Sequence, residues 1–240
     1  MTDLAGRVAL VTGAGRRVGR AIAVALGART MNVIVHYNGS EAGARETVRM
    51  IEAAGGSASM RRADLGSIDA CERLIDDVGA MDALINSAAM MLRTPIGQVT
   101  ATEWEDMNAL NVRAPFFLTQ RAAPALKTSK GCVVNIADMA AFETWTGYVP
   151  HGMTKAAVVQ MTRAMAHALA PDIRVNGVAP GVVMLPDEFD EKGAEHLRRT
   201  TPLQRFGTAD DVAQAVVYLL QADFVTGEII RVDGGRHVRR

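Results

Sequence analysis

Residues 7 to 19 constrain this chain more than any others. An apolar run, Val8 to Val11, meets the turn Thr12-Gly13-Ala14-Gly15-Arg16-Arg17-Val18-Gly19, and apolar residues then recur with helical spacing from Val18 to Ala28. A strand that passes into a helix through such a turn leaves the first N–H groups of the helix free, and Gly13 and Gly19 let the backbone turn tightly and come close to a pyrophosphate. The segment therefore reads as the phosphate loop of a dinucleotide-binding unit. Alone it is weak evidence, because ordinary strand–helix turns share it.

The rest of the chain repeats the theme. Strand-like runs at Val8–Val11, Asn32–His36, Ser57–Arg61, Ala83–Asn86, Cys132–Ile136, Arg174–Val178 and Glu228–Val232 alternate with helical patterns. The helices are expected at Arg17–Arg29, Glu41–Ala54, Ile68–Val78, Ala101–Leu126, Pro150–Leu169 and Ala209–Leu220. This alternation predicts one α/β domain over residues 1–240, a doubly wound Rossmann fold with a seven-stranded parallel sheet and helices on both faces. The segment from Gly181 to Pro202 breaks the rhythm with Pro186 and a charged stretch, and is expected to be a mobile substrate lid.

A length of 240 residues suits one full core, and the formal net charge of zero argues against broad affinity for nucleic acid or an anionic membrane. Strand one begins almost at once, without a signal-like segment, and no apolar run is long enough to span a bilayer. Cys71 and Cys132 read as small core residues, so a disulfide framework is not expected and a reducing, cytoplasmic setting is. No His, Cys, Asp and Glu grouping has the spacing of a metal site.

The end of strand two narrows the cofactor. An NAD-preferring site places Asp or Glu there for the ribose 2′-hydroxyl. This chain has His36-Tyr37-Asn38-Gly39-Ser40 and no acid before Glu41. Arg17, with Arg16 and Val18 beside it, is expected to meet a 2′-phosphate through its fork of donors, with Asn38 and Ser40 adding neutral hydrogen bonds and His36 lying alongside. NADPH is the expected cofactor.

The phosphate loop resembles the Thr-Gly-x-x-x-Gly-x-Gly of the short-chain dehydrogenases/reductases, with Arg17 where that family usually has its middle glycine. The resemblance covers essentially the whole chain. It implies that Asp64-Leu65 contact the adenine, that the backbone of Asn86-Ser87-Ala88-Ala89 lines the cofactor, and that Pro180-Gly181 turn on the nicotinamide side. It also implies that Asn111 bends the long central helix and holds a water beside Lys155, which grips the nicotinamide ribose. Two details are similar to the pteridine reductase and dihydromonapterin reductase branch: the arginine in the phosphate loop, and Asp138 after strand five where most of the family has a catalytic serine. That likeness implies NADPH-dependent reduction of a dihydropterin to its tetrahydro form, with Asp138 at the polar edge of the ring. The family resemblance further implies a homotetramer, with a four-helix interface built on the helices at Ala101–Leu126 and Pro150–Leu169 and the last strand completing it.

The family's Tyr-x-x-x-Lys pair is altered. The stretch reads Tyr148-Val149-Pro150-His151-Gly152-Met153-Thr154-Lys155, so Lys155 is in place and His151 occupies the tyrosine position. Three readings follow. His151 acts as general acid, opposed by the Lys155 ammonium and helped by the Asp138 carboxylate. Alternatively Tyr148 serves, at the spacing of enoyl-thioester reductases in the same superfamily, on another conjugated C=C or C=O substrate. In the third reading the chain binds NADPH without turnover. Met90, Met91, Phe142, Trp145 and Met184-Leu185 are candidates for a flat apolar pocket, and Arg93 for an anionic substrate group; His36 and His167 also suit packed or surface positions.

Overall fold

The computed structural model describes residues 2–185 and 190–238. Seven parallel strands lie in the order β3-β2-β1-β4-β5-β6-β7. They are β1 Val8–Val11, β2 Asn32–Tyr37, β3 Ser57–Arg62, β4 Ala83–Asn86, β5 Cys132–Ile136, β6 Arg174–Pro180 and β7 Ile229–Val232. The chain starts in the middle, runs outward to β3, and returns to place β4 against the other side of β1. That reversal opens a crevice above the carboxyl ends of β1 and β4, where such folds bind their ligands.

Side-chain alternation divides the core. Ala9 and Val11 pack on one face with Ile22 and Leu26 of α1 (Arg17–Gly27) and Val216 and Leu220 of α8 (Ala209–Gln221). Leu10 points the other way, to Leu74 of α3 (Ile68–Val78) and Leu118 and Leu126 of α5 (Ala114–Ser129). The central strands are continuous apolar runs because helices cover both faces. The α2 helix, Glu41–Ala53, completes the β2–β3 crossover.

Most expected elements form within a residue or two of their expected limits. Two do not. The long helix expected at Ala101–Leu126 is α4, Ala101–Asn108, then a π turn at Ala109–Arg113, then α5. The wide turn centres on Asn111, whose side chain is held from outside the helix. The segment expected to be irregular carries a further helix, α7, at Glu191–Thr200, started by the Asp190 carboxylate accepting from Gly193 N at 2.8 Å. Pro186 lies outside the described residues. Helix α6, Val149–Ala168, brings the altered catalytic stretch to the crevice. Cys71 and Cys132 are buried free thiols, and burial pushes both up to about 11. Among the described residues no helix is long and apolar enough to cross a membrane.

Candidate active site

The phosphate loop needs its glycines for space. A Cβ on Gly19 would sit 2.4 Å from Gly13 O, and one on Gly13 would sit 2.8 Å from Ala88 Cα, where φ is already +65°. The first turn of α1 thus lies directly on the loop backbone, and the β1 and β4 loops touch. Thr12 Oγ1 fixes that contact by accepting from Ser87 N at 2.9 Å and Ala88 N at 3.0 Å. Gly181, after β6, has a similar constraint, with Asp233 Cα 2.8 Å from its missing Cβ. These close approaches keep the loops after β1, β4 and β6 tightly packed beside the free end of α1, whose first N–H groups can receive an anion.

Arg17 keeps the glycine conformation without being glycine. Its φ is +54°, which costs an L-residue roughly 1 kcal/mol. Both Arg16 and Arg17 are exposed, and Arg17 Nη2 donates to Met184 O at 3.5 Å, in the segment after β6. Its guanidinium is therefore turned toward that segment, whereas Asn38 sits at the β2 end, donating to Asp64 Oδ1 at 3.5 Å. Asp64 also accepts from Gly66 N at 3.0 Å, and Leu65 beside it is buried. Ser40 precedes α2, Val18 is half-buried in α1, and Pro180 closes β6.

His36 is a support rather than a ligand contact. Gly13 N donates to its Nδ1 at 3.1 Å, so its proton is on Nε2, which meets Ala63 O at 3.1 Å. Both ring nitrogens are used, and burial lowers its pKa, partly offset by the Ala63 bond. The first acid after β2, Glu41, is paired with Arg45 at 2.6 Å. Asn86 is likewise engaged inward, donating to Asn135 Oδ1 at 2.8 Å and Thr119 Oγ1 at 3.3 Å, while its Oδ1 has no partner. His167 is exposed.

The altered catalytic stretch forms a compact cluster. His151, 2 % exposed, has Nδ1 3.2 Å from Met90 O. A carbonyl only accepts, so the proton is on Nδ1 and the neutral ring carries its lone pair on Nε2. That nitrogen is buried without a hydrogen-bond partner and faces Asp138 Oδ2 at 3.7 Å. The other Asp138 oxygen caps the short turn Met139–Ala141 by accepting from Ala140 N at 2.8 Å. Asp138 thus acts as a cap and as the partner of His151 at once.

Asn111 clamps the same carbonyl. Its Oδ1 accepts from Met90 N and its Nδ2 donates to Met90 O, both at 2.8 Å, and Nδ2 also reaches Thr154 Oγ1 at 3.0 Å. Thr154 Oγ1 donates to His151 O at 2.7 Å. The Met90 carbonyl is therefore a hub that sequence cannot reveal, because its role belongs to the backbone. Thr154, three residues beyond His151 on α6, had only helical spacing to mark it.

Lys155 is buried and donates to Ile136 O at 2.9 Å. Burial pulls its pKa down to about 8, against the Asp138 carboxylate. Tyr148 stands at the start of α6, half-buried, its ring edge-on to Trp145 at 6.2 Å. Phe142 and Trp145 line a cleft with Arg231 and Arg236. Arg93 is exposed and packs along Gly147, with Nε 3.6 Å from the place of a Cβ there.

A family model described as enoyl-(acyl carrier protein) reductase matches residues 13–237. The chain is a short-chain dehydrogenase/reductase. A 3beta-hydroxysteroid dehydrogenase of Eggerthella lenta is 33% identical over 246 residues, covering 97% of this chain and 94% of that protein. A 3-oxoacyl-[acyl-carrier-protein] reductase of Staphylococcus aureus is 32% identical over 240 residues, covering 96% and 98%. A solved short-chain type dehydrogenase/reductase from Mycobacterium ulcerans superposes with a TM-score of 0.93 at 29% identity, covering 100% of this chain and 92% of that one. The fold and the oxidoreductase family follow. The two named relatives are a ketoacyl reductase and a hydroxysteroid dehydrogenase, not pteridine reductases.

Proposed function

We propose that this short-chain dehydrogenase/reductase uses NADPH to reduce a ring C=N bond of a dihydropterin-like substrate, with the Asp138–His151 pair delivering the proton. The observation that carries the proposal is the tautomer of His151. With Nδ1–H committed to Met90 O, neutral Nε2 and the Asp138 carboxylate are two acceptors facing each other at 3.7 Å. A proton on Nε2, or a substrate N–H between them, resolves that conflict. His151 therefore donates from Nε2 only when that nitrogen carries a proton, which would point at the Asp138 carboxylate.

The same pair favours a nitrogen heterocycle over a ketone. Asp138 stands where most of the family has a serine donor, so it offers the substrate an acceptor there. Ring N–H groups match that acceptor. A dinucleotide fits the loops at Gly13, Gly19 and Gly181, and when bound it supplies the hydride. Lys155, with one N–H spent on Ile136 O, keeps the others for the ribose hydroxyls. Support for NADPH is the absence of a free acid after β2 and the two exposed arginines at the start of α1. Asn38 and Ser40 complete the 2′-phosphate end.

The segment from 181 to 202 serves as the substrate lid, and α7 within it buries only Ala194. The homotetramer proposal has its support in the apolar surface of α4 to α6, where Phe116 is 41% exposed beside Val112 and Met161. A native mass of four chains is the expected result.

The second reading, reduction of a ketone, is favoured by the names of the relatives. Oxidation of NADPH, and separately NADH, by the purified protein separates them. Turnover with dihydrobiopterin or dihydromonapterin, faster with NADPH, is expected. Turnover confined to a 3-oxoacyl thioester or a 3-oxosteroid would give the site to the second reading.

A further inference from the structure

The segment that links Asp138 to α6 flanks the catalytic cluster, and its middle is held from the far end of the chain. Asp138 starts it as the cap of Met139–Ala141, Tyr148 ends it at the start of α6, and His151 follows in the first turn of that helix. The first part folds on itself, with Phe142 N and Glu143 N both donating to Met139 O at 2.9 Å. The last part does the same, with Tyr148 N donating to Trp145 O at 2.9 Å. Thr94 N ties it to the loop after β4 by donating to Gly147 O at 2.9 Å. Between these turns the side chains are anchored by Arg236, in the turn Arg236–Val238 after β7.

The anchor is a buried ion pair in fork geometry. Arg236 Nε donates to Glu143 Oε1 at 3.1 Å and to Oε2 at 3.2 Å, and Nη2 donates to Oε2 at 3.0 Å. The two side chains are 6% and 15% exposed, so water neither screens the pair nor competes for it as it does at a surface. The same Oε2 accepts from Trp145 Nε1 at 2.9 Å. An indole has one donor, and here it is spent on a carboxylate whose own position is set by a guanidinium. The ring so oriented stands edge-on to Tyr148, with centroids 6.2 Å apart.

We infer that Arg236 is a positioning residue: through Glu143 it fixes Trp145, and with it Tyr148, as the wall against which the substrate ring lies. The identity of that ring rests on the pterin reading; the positioning of Trp145 does not. The clamp leaves the proton-transfer pair to other contacts. Asp138 keeps its own cap on Ala140 N, and His151 is held by Met90 O. Loss of the clamp is therefore expected to weaken substrate binding and to spare the chemical step.

Removing Arg236 alone leaves the Glu143 charge buried and uncompensated, which threatens folding itself. The test therefore replaces both partners, Glu143→Leu with Arg236→Met, which removes the two charges together and keeps the volume. The chain has two tryptophans, so in a Trp104→Phe background Trp145 is the only one, and acrylamide quenching of its emission reads its freedom without turnover. The double variant is expected to be quenched more strongly than the background protein. It is also expected to raise KM for dihydrobiopterin about tenfold, with kcat within about threefold and NADPH binding unchanged. Arg236→Lys keeps a cation on Glu143 without the fork, and is expected to fall between the two. Trp145→Phe leaves the ion pair in place, removes the oriented N–H, and is expected to raise the same KM. Parent-like quenching in the folded double variant overturns the inference, and so does a parent KM in both that variant and Trp145→Phe. Stronger quenching in a protein that turns over no dihydropterin sinks the pterin reading and leaves the positioning of Trp145 standing.

Discussion

Replacing Lys155 by methionine is expected to stabilise the protein while abolishing turnover. The ammonium is 4% exposed and has one protein partner, Ile136 O at 2.9 Å. Burial pulls its pKa from 10.5 to about 8, with Asp138 pulling the other way. At about 1.4 kcal/mol per unit, this is a cost of roughly 3 kcal/mol to the folded state. Below about 8 both states carry the proton, and the folded protein bears the whole cost of a desolvated cation. Between about 8 and 10.5 the unfolded chain keeps a proton that the folded chain has released, so stability rises with pH through that window. Methionine fills similar volume without charge, but leaves the Ile136 carbonyl without its donor, at about 1 kcal/mol. The net gain at neutral pH is then about 2 kcal/mol. Urea unfolding of both proteins from neutral pH to about pH 9 measures the difference, in which the raised Cys71 and Cys132 thiols cancel. The variant is expected to be the more stable at neutral pH, with the gap closing as pH rises. A variant less stable than the parent at neutral pH, or a gap indifferent to pH, would refute the argument.

Arg17→Gly is expected to raise stability by about 1 kcal/mol in thermal unfolding, because glycine adopts the positive φ without strain, and to weaken NADPH binding through lost charge. Gly19→Ala drives a Cβ to 2.4 Å from Gly13 O, and a calorimetric titration should find NADPH binding lost even where the protein still folds. Tyr148→Phe is expected to keep kcat within about threefold, because the ring packs on Trp145 and the proton is assigned to His151; a loss of about 10²-fold or more would move the acid to Tyr148.

Much of the fold was legible because local and global signals agree. Both faces of β1, β4 and β5 are covered, so those strands appear as uninterrupted apolar runs, and the capping boxes Thr100–Glu103 and Thr208–Asp211 mark the starts of α4 and α8. Helix α7 was missed because its charged residues outnumber the few that anchor it, and Ala194 alone gives little periodicity. The break at Ala109–Arg113 is set by tertiary hydrogen bonds from Asn111 to Met90; helical periodicity runs straight through it, and the bend expected at Asn111 came from the family resemblance alone. In the site, the spacing on α6 puts His151 and Lys155 one turn apart, and Asp138 lies near His151 and acts on Lys155. The tautomer of His151 depends on a backbone carbonyl from another loop, and the inward turn of His36 on Gly13 and Ala63, so both emerge only in three dimensions.

The central claim is that the imidazolium of His151, paired with Asp138, gives up the proton. It is tested most directly by the rate of dihydropterin-dependent NADPH oxidation in the parent protein and in His151→Gln. The account predicts turnover by the parent and a variant slower by about 10²- to 10⁴-fold with NADPH binding unchanged. A variant that keeps the parent's rate would contradict it.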